Sequence, residues 1–273
     1  MKKADLHMHT NYSDGVKTVE EVIEIARIED LDYISITDHD TLEGSIKAYN
    51  MQSKYNDIKF IIGIELSTEN NDESVHILGY FKDDSFLGDF ELYLENQRKQ
   101  RKERAIKIKN ALYEHFNIDL NMDFMDKIQS ITRGTIANEI VNQGYPYSRN
   151  EIFSKMIGNG NPAYFPSTKL TTKRGIKLIH DFGGLAVLAH PVLLKKNDVE
   201  EIISFGLDGI EAIYPANRDG DEEKFRSLAK RYGLFITAGN DFHDFNDNRH
   251  GHIGNLTLDE NELNIFLKKL EVL

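Results

Sequence analysis

The chain has 273 residues, a formal net charge of -12, 40% hydrophobic residues and no cysteine. This length allows one large domain, with or without an insertion, and the lack of cysteine excludes disulfides and thiolate metal sites. An acidic surface does not favour binding of a polyanion, so an anionic ligand would need a local positive centre such as bound metal or a basic patch.

Nothing in the sequence predicts association with a membrane. No apolar run approaches membrane-spanning length. The N-terminus carries two lysines, but Asp5, His7 and His9 follow where a secretory signal would need an apolar core. We therefore expect a soluble, cytoplasmic protein with no membrane partner and no obligate protein partner.

The first 80 residues alternate between strand and helix patterns. Strands are predicted over residues 4–9, 33–37, 59–64 and 74–80. A first helix is predicted to begin at Thr18, where Glu21 completes a capping box, and a second covers residues 44–56.

The pattern changes after residue 81. One long, charged helix is predicted over residues 86–115, and shorter helices near 122–127, 135–143 and 149–156, with no clear strand. A loop rich in turn-forming residues follows at 158–166. We therefore predict a helical insertion over residues 82–165.

The alternation then resumes to the end of the chain. Strands are predicted over residues 185–189, 207–213 and 234–238, and helices over 172–181, 221–232 and 261–270. A further helix is predicted to begin at Asp198, with Glu201 completing a capping box. About seven strands alternating with helices predict an α/β fold, namely a distorted (β/α)7 TIM-like barrel formed by residues 1–81 and 166–273.

Polar residues recur at or near the carboxyl ends of the predicted strands. His7 and His9 are spaced i, i+2 on a strand and should point to the same face. Imidazole and carboxylate ligands suit Zn, Fe or Mn. Any one of these residues could simply hydrogen-bond a loop, but six histidines at one end of successive strands favour a metal centre. The candidate ligands are His7, His9, Asp14, His39, Glu65, His76, His190, Asp241 and His243.

The four remaining histidines are interpreted without a metal. His115 and His180 lie in predicted helices, where a surface or packing role is expected. His250 and His252 follow the last of these strands and are interpreted as polar loop residues.

The sequence resembles the PHP (polymerase and histidinol phosphatase) family along its whole length. The resemblance is carried by Asp5-Leu6-His7-Met8-His9-Thr10, Ser13-Asp14-Gly15, Thr37-Asp38-His39-Asp40-Thr41, Gly63-Ile64-Glu65, Val75-His76-Ile77-Leu78-Gly79-Tyr80, Ala189-His190-Pro191 and Asp241-Phe242-His243. It implies a distorted (β/α)7 barrel that holds two or three divalent ions, Mn, Fe or Zn. The expected reaction is attack of a metal-bound hydroxide on a phosphate ester.

The resemblance also assigns the ligands. One metal would take His7, His9, Glu65 and Asp241; a second would share Glu65 and add His76 and His190; a third would take Asp14, His39 and His243. Catalytic roles are expected for Asp14, His39, Asp241 and His243. Asp38 and Asp40, which flank His39, are expected to fix the orientation of its ring.

The insertion resembles the branch that contains nucleoside 3′,5′-bisphosphate and AMP phosphatases and 5′-3′ exoribonucleases. The matching pieces are residues 98–104, Thr132-Arg133-Gly134 and residues 158–166. The chain departs from this branch at Asn240, where serine is usual, and at Asp244, where glycine is usual. The expected substrate is a nucleotide or the 5′ end of an oligonucleotide.

Basic residues of the insertion are candidates for binding the substrate phosphate. Residues 98–109 are rich in lysine and arginine, and most of these side chains are expected to form a solvated helix face. Arginine binds phosphate through two parallel hydrogen bonds, so Arg133, Arg101 and Arg98 are the expected phosphate ligands, with Lys169 weaker. Tyr164 is expected either to contact a base or sugar or to lie in the core.

Two other functions stay open at this point. Histidinol-phosphate phosphatase is the alternative enzyme, against which the nucleotide-type insertion weighs. A non-catalytic module that binds metal or nucleic acid is the alternative of another class. Such a module should have lost ligands, whereas all nine ligand positions are filled here.

Overall fold

A computed structural model describes residues 2–126, 131–166, 170–247 and 250–272. The chain divides into two compact units, one formed by Met1–Glu91 with Leu170–Leu273 and the other by Leu92–Lys169. In the described part of the chain, no helix has the length and apolar character needed to cross a membrane.

The strands of the first unit form two sheets. The strands are β1 Ala4–Met8, β2 Tyr33–Ile36, β3 Lys59–Phe60, β4 Ile62–Asn70, β5 Glu73–Phe81, β6 Leu170–Thr171, β7 Leu185–Leu188, β8 Gly209–Ile213 and β9 Phe235–Ala238. The smaller sheet is parallel and has the order β1-β2-β3, and the larger has the order β6-β4-β5-β7-β8-β9. Within the larger sheet, β5 is antiparallel to β4 and β7, and the other pairs are parallel.

Single bridges connect the two sheets, between Met8 and Phe242 and between His39 and Glu65. Within the described ranges these bridges do not extend into ladders that close a ring. The α/β class and the parallel pairing are as predicted, but a closed barrel is not confirmed.

The strand predicted over residues 59–64 is confirmed as strand except at Ile61, but it divides into β3 and β4, which belong to different sheets. Ile61 N still bonds Ile34 O of β2 at 2.9 Å, whereas Ile62 pairs with Phe81 of β5. A continuous apolar run gives no local sign of such a change of partner. The two-residue strand β6 was not predicted.

Most helices lie within two residues of the predicted bounds, but the helix predicted over residues 44–56 ends at Asn50 and is followed by a 3₁₀ turn over Gln52–Lys54. They are α1 Val19–Ile28, α2 Glu43–Asn50, α3 Leu87–Phe116, α4 Arg133–Asn142, α5 Arg149–Ile152, α6 Thr172–Asp181, α7 Val199–Ile203, α8 Asp221–Tyr232 and α9 Glu260–Lys269. The capping box of α1 is confirmed, with Thr18 and Glu21 exchanging hydrogen bonds. The predicted box of α7 is not formed: Asp198 accepts from Glu200 N, and the Glu201 carboxylate contacts Asn70.

The second unit has its own core, formed by residues that include Ile108, Leu112, Ile136 and Ile157. Its described residues contain no strand. The helix predicted near 122–127 is a 3₁₀ turn over Asp123–Asp126, and its predicted end at 127 lies outside the described residues. The helix predicted over 149–156 ends as an α-helix at Ile152 and continues as one π turn, Phe153–Ile157.

The alternation along β1 positions the site. Leu6 and Met8 point into the apolar core, in two neighbouring clusters. His7 and His9 therefore point to the opposite face, where both are fully buried. The same strand thus anchors the core and presents two imidazoles.

Candidate metal centre

Four side-chain atoms converge where β1, β4 and the segment after β9 meet. They are Nε2 of His7, Nε2 of His9, Oε2 of Glu65 and Oδ1 of Asp241, and the five distances between a histidine nitrogen and another of these atoms are 3.0 to 3.3 Å. All four residues are buried. Although imidazole nitrogens lie close, neither Glu65 Oε2 nor Asp241 Oδ1 has a partner in hydrogen-bonding geometry in the described chain.

These separations suit a bound cation. Ligand atoms held about 2.1 Å from one ion lie roughly 3.0 to 3.4 Å apart in octahedral or tetrahedral coordination. Two nitrogens and two carboxylate oxygens are a donor set for Mn, Fe or Zn. The buried, unpaired oxygens of Glu65 and Asp241 are explained if a cation is their partner.

Glu65 also connects this group to three further histidines. Its Oε1 lies 2.9 Å from His76 Nδ1 and 3.0 Å from His190 Nε2. Its Oε2 lies 3.0 Å from His39 Nδ1. A carboxylate placed between two sets of imidazoles can bridge two ions.

A third group surrounds Asp14 near the solvent. The carboxylate of Asp14 lies 3.1 Å from His243 Nε2 and 3.7 Å from both His39 Nε2 and His9 Nδ1. The Asp14 side chain is 56% exposed, in contrast to the buried His7–Asp241 group.

The structure therefore brings all nine candidate ligands into one region of the first unit. Seven of them line a cavity of about 610 Å³, and His7 and His9 contact two of these lining residues, Glu65 and Asp241. The cavity contacts Asp14, His39, Glu65, His76, His190, Asp241 and His243, together with Val16, Leu193, Asp244, Asn246, Asp247 and His250. The predicted phosphate ligands Arg98, Arg101 and Arg133 lie in the second unit, and Lys169 lies outside the described residues.

The electrostatics of the site show its demand for positive charge. Burial alone would raise the pKa of Glu65, but the imidazoles of His39, His76 and His7 outweigh burial and hold that pKa well below its usual range. The pKa of Asp241 is lowered in the same way, mainly by His7 and His9 against the effect of burial.

The pKa values of two imidazoles, those of His9 and His39, shift in opposite directions. Burial would lower the pKa of His9, but hydrogen bonds and charge from Asp241 and Glu65 raise it to about 10. Burial lowers the pKa of His39 to about 4, so this ring is neutral near pH 7 and can offer a lone pair. The raised pKa of His9 and the lowered pKa values of Glu65 and Asp241 have the same cause, which is that the buried carboxylates favour a positive partner, a role that a bound cation can take.

Two buried residues that sequence reasoning missed support the ligands. Glu211 Oε1 lies 2.9 Å from His7 Nδ1, and its Oε2 accepts a hydrogen bond of 2.7 Å from His190 N. Tyr214 OH donates to Asp241 Oδ2 at 2.9 Å. A single charge inside the apolar strand β8 was the available signal for Glu211. Acceptors of this kind fix which imidazole nitrogen faces a metal.

The predicted role of Asp38 is wrong. Asp38 accepts from Thr10 N, Thr10 Oγ1 and Ser13 Oγ, each at 2.7 Å, and so fixes the turn after β1 rather than the ring of His39. Asp40 accepts from Ser67 N at 3.0 Å. Each carboxylate accepts a hydrogen bond from a backbone segment that also carries a candidate ligand: the turn after β1 for Asp38, and β4 for Asp40. A motif within one stretch of sequence does not reveal such partners.

The two departures from the branch occupy different places. Asn240 is buried and donates from Nδ2 to Asp5 Oδ2 at 2.7 Å, behind the ligands. Burial raises the pKa of Asp5 to about 6, against several hydrogen bonds that lower it. Asp244 instead lines the cavity.

Comparisons with known proteins agree with this geometry. The sequence profile described as the PHP domain matches residues 5–142. A 5′-3′ exoribonuclease of Haemophilus influenzae is 28% identical over 89% of this chain and 90% of its own length. A 3′,5′-nucleoside bisphosphate phosphatase of Chromobacterium violaceum is 30% identical over 89% of this chain and 88% of its own length. The crystal structure of a protein assigned as a metal-dependent phosphoesterase, from Bifidobacterium adolescentis, superimposes with a TM-score of 0.72 at 26% identity, over 97% of this chain and 96% of the other.

Proposed function

The chain belongs to the PHP domain family, and we propose that it is a metal-dependent phosphoesterase that hydrolyses phosphate esters of nucleotides. The observation that carries this proposal is the convergence of His7, His9, Glu65 and Asp241, of which Glu65 and Asp241 line the cavity. We assign the ions to the three groups around Glu65, Asp241 and Asp14, and the bridges between the two sheets support a barrel-like arrangement of the strands that carry them.

The charge of the cavity supports a need for metal. Its described lining includes five carboxylates, Asp14, Glu65, Asp241, Asp244 and Asp247, and no lysine or arginine. A phosphate dianion would be repelled from such a surface unless cations intervened. Bound divalent ions would offset that charge and lower the pKa of a water near the phosphorus.

The residues of the chain orient and position the reacting groups. Glu211 holds the ring of His7 at Nδ1, so that Nε2 faces Glu65, and its second oxygen accepts from the backbone N of His190. Tyr214 holds the carboxylate of Asp241 in place. The volume of about 610 Å³ is of the size that accepts a small ligand such as a nucleotide.

Two nucleotide substrates are supported by relatives. One relative acts as a nucleoside bisphosphate phosphatase and another as a 5′-3′ exoribonuclease, with similar identities to this chain. The assay that tests the function supplies the metal-reconstituted protein with adenosine 3′,5′-bisphosphate and with a short 5′-phosphorylated oligoribonucleotide.

The products distinguish the possibilities. Free phosphate from the bisphosphate alone is the result expected of a small-nucleotide phosphatase, and stepwise release of mononucleotides is the result expected of an exonuclease. If the metal-loaded protein releases neither product, the nucleotide assignment is overturned. Histidinol phosphate is then the next substrate to test.

We propose that the second unit acts as a substrate lid and supplies the phosphate contacts through Arg133, Arg101 and Arg98. Arg133 begins α4, and its guanidinium lies 5.3 Å from the ring centroid of Tyr164. A Cβ at Gly134 would lie 3.2 Å from Arg149 Nη2, so a second guanidinium reaches the start of the same helix. Helix N-termini favour anions, and two guanidinium groups strengthen that preference.

Replacing Arg133 by alanine should raise the KM for the nucleotide about 10-fold or more, because a charge-assisted contact to phosphate is worth roughly 1.5 to 3 kcal/mol. Metal content should stay at the wild-type level. Steady-state kinetics and metal analysis of the purified variant measure both. Lys155→Ala is the control, because it removes an exposed cation of the same unit that pairs with Glu151. Unchanged kinetics for Arg133→Ala would remove this residue from the substrate site.

A further inference from the structure

His250, interpreted above as a polar loop residue, lies in the loop after β9, and its side chain lines the cavity rather than an outer surface. Its side chain is 18% exposed and its ring stacks on that of His243, with centroids 4.3 Å apart. Ligand-type atoms of His250, His243 and Asp241 all lie within 4.8 Å of one another. None of the nine predicted ligand positions includes His250.

The orientation of this ring is fixed from behind. His250 Nδ1 lies 2.7 Å from Asp247 Oδ2, and Asp247 is itself only 13% exposed. A carboxylate on Nδ1 leaves Nε2 as the nitrogen that carries the lone pair. That nitrogen faces into the cavity and lies 3.5 Å from Asp241 Oδ2.

The same arrangement occurs at two predicted ligands. His7 has Glu211 at Nδ1, and His243 has the carbonyl oxygen of Asp241 at Nδ1 at 2.7 Å. In both cases Nε2 faces a carboxylate of the centre. An acceptor behind the ring and a carboxylate in front of it is the usual environment of an imidazole that binds metal.

Asp241 offers its two oxygens in two directions. Oδ1 faces His7 and His9. The residue is more than nine-tenths buried, and Oδ1 has no hydrogen-bonding partner among the described residues. Oδ2 faces Tyr214 and His250. A carboxylate used in this way can serve one cation on each side.

We propose that His250, oriented by Asp247, is a further ligand for a divalent cation on the Asp241–His243 side of the centre. This inference rests on the proposed metal-dependent function. The segment after β9, which carries the candidate ligands Asp241 and His243, would then supply His250 as a third ligand. A contact between His250 and Asp247 that served only the loop would not require Nε2 to face Asp241.

The test measures the binding of Mn²⁺ to chelator-stripped protein. The two readouts are titration calorimetry and metal analysis after dialysis. His250→Ala should lose one bound ion or weaken one class of sites at least about 10-fold. Asp247→Asn should weaken the same class about 10- to 100-fold, the usual effect of removing a group behind a ligand. His250→Gln should match His250→Ala, which guards against misfolding of a single variant.

His252→Ala is the matched control, because His252 is an exposed imidazole two residues along the same segment, and its binding curve should equal the wild-type curve. Wild-type Mn²⁺ binding in both His250 variants would overturn the inference and leave the proposed centre intact, even if their turnover changed. Absence of Mn²⁺ binding in the wild-type protein would overturn the proposed function itself. His7→Ala, which should lose metal in either case, separates the two failures.

Discussion

Replacing Glu65 by glutamine is expected to lower turnover of the nucleotide ester by more than about 100-fold and to reduce bound metal. Removal of a group behind a metal ligand already costs about 10- to 100-fold, and Glu65 is placed as a ligand itself. Its two oxygens face His7, His9, His39, His76 and His190. The amide would leave one fewer negative charge and present an NH₂ group to the cation.

The measurement combines steady-state kinetics with metal analysis of the same preparation. Glu69→Gln is the control, since Glu69 lies on the same strand β4, four residues further on, and is half-buried outside the centre. A Glu65→Gln protein with wild-type turnover and wild-type metal content would exclude this cluster as the catalytic centre. If Glu69→Gln also loses turnover and bound metal, the losses would instead indicate damage to the strand.

Removal of divalent metal is expected to abolish activity and to lower Tm. A ligand present at 100 times its Kd stabilises the folded state by about 2.7 kcal/mol. For a protein of this size, each kcal/mol shifts Tm by roughly 2 to 4 °C, so a difference of roughly 5 to 10 °C is expected between metal-loaded and stripped protein. The stripped protein is expected to be the less stable one, because the carboxylates of Glu65 and Asp241 are buried.

Thermal unfolding with Mn²⁺, Zn²⁺ and Mg²⁺ measures this effect. Mg²⁺ should raise Tm least, because it prefers oxygen ligands and the centre offers mainly imidazole. His7→Ala should show a smaller shift with Mn²⁺ than the wild-type protein. The same Tm for stripped and loaded protein, at saturating Mn²⁺, would contradict metal binding by the folded state.

The sequence by itself predicted most of the elements and the nine candidate ligands that the structure brings together. The helices at 172–181 and 221–232 have the predicted bounds, because apolar spacing and turn residues are local signals. Most histidines of the centre could be found because they recur at or near the carboxyl ends of parallel strands, which meet in space, whereas His76 lies within the antiparallel strand β5. The resemblance to the PHP family then grouped residues that lie more than 200 positions apart, such as His7 and Asp241.

Only the tertiary structure decided which side chains support those ligands. Glu211 and Tyr214 reach His7 and Asp241 from a strand and a segment that carry no motif. Asp38, which lies inside a motif, contacts Thr10 and not the neighbouring His39. Support of this kind depends on the direction of a side chain across the gap between strands, and sequence spacing does not encode that direction.

The division of residues 59–64 between two sheets and the position of His250 have the same physical origin. Phe60 pairs with Ile34 of β2, whereas Ile62 pairs with Phe81 of β5, and nothing in the apolar run marks the change of partner. His250 follows a segment without regular structure, so no periodicity could orient its ring. Local patterns fix elements and their faces, whereas the choice of strand partner and the return of a loop over the cavity follow from packing of the whole chain.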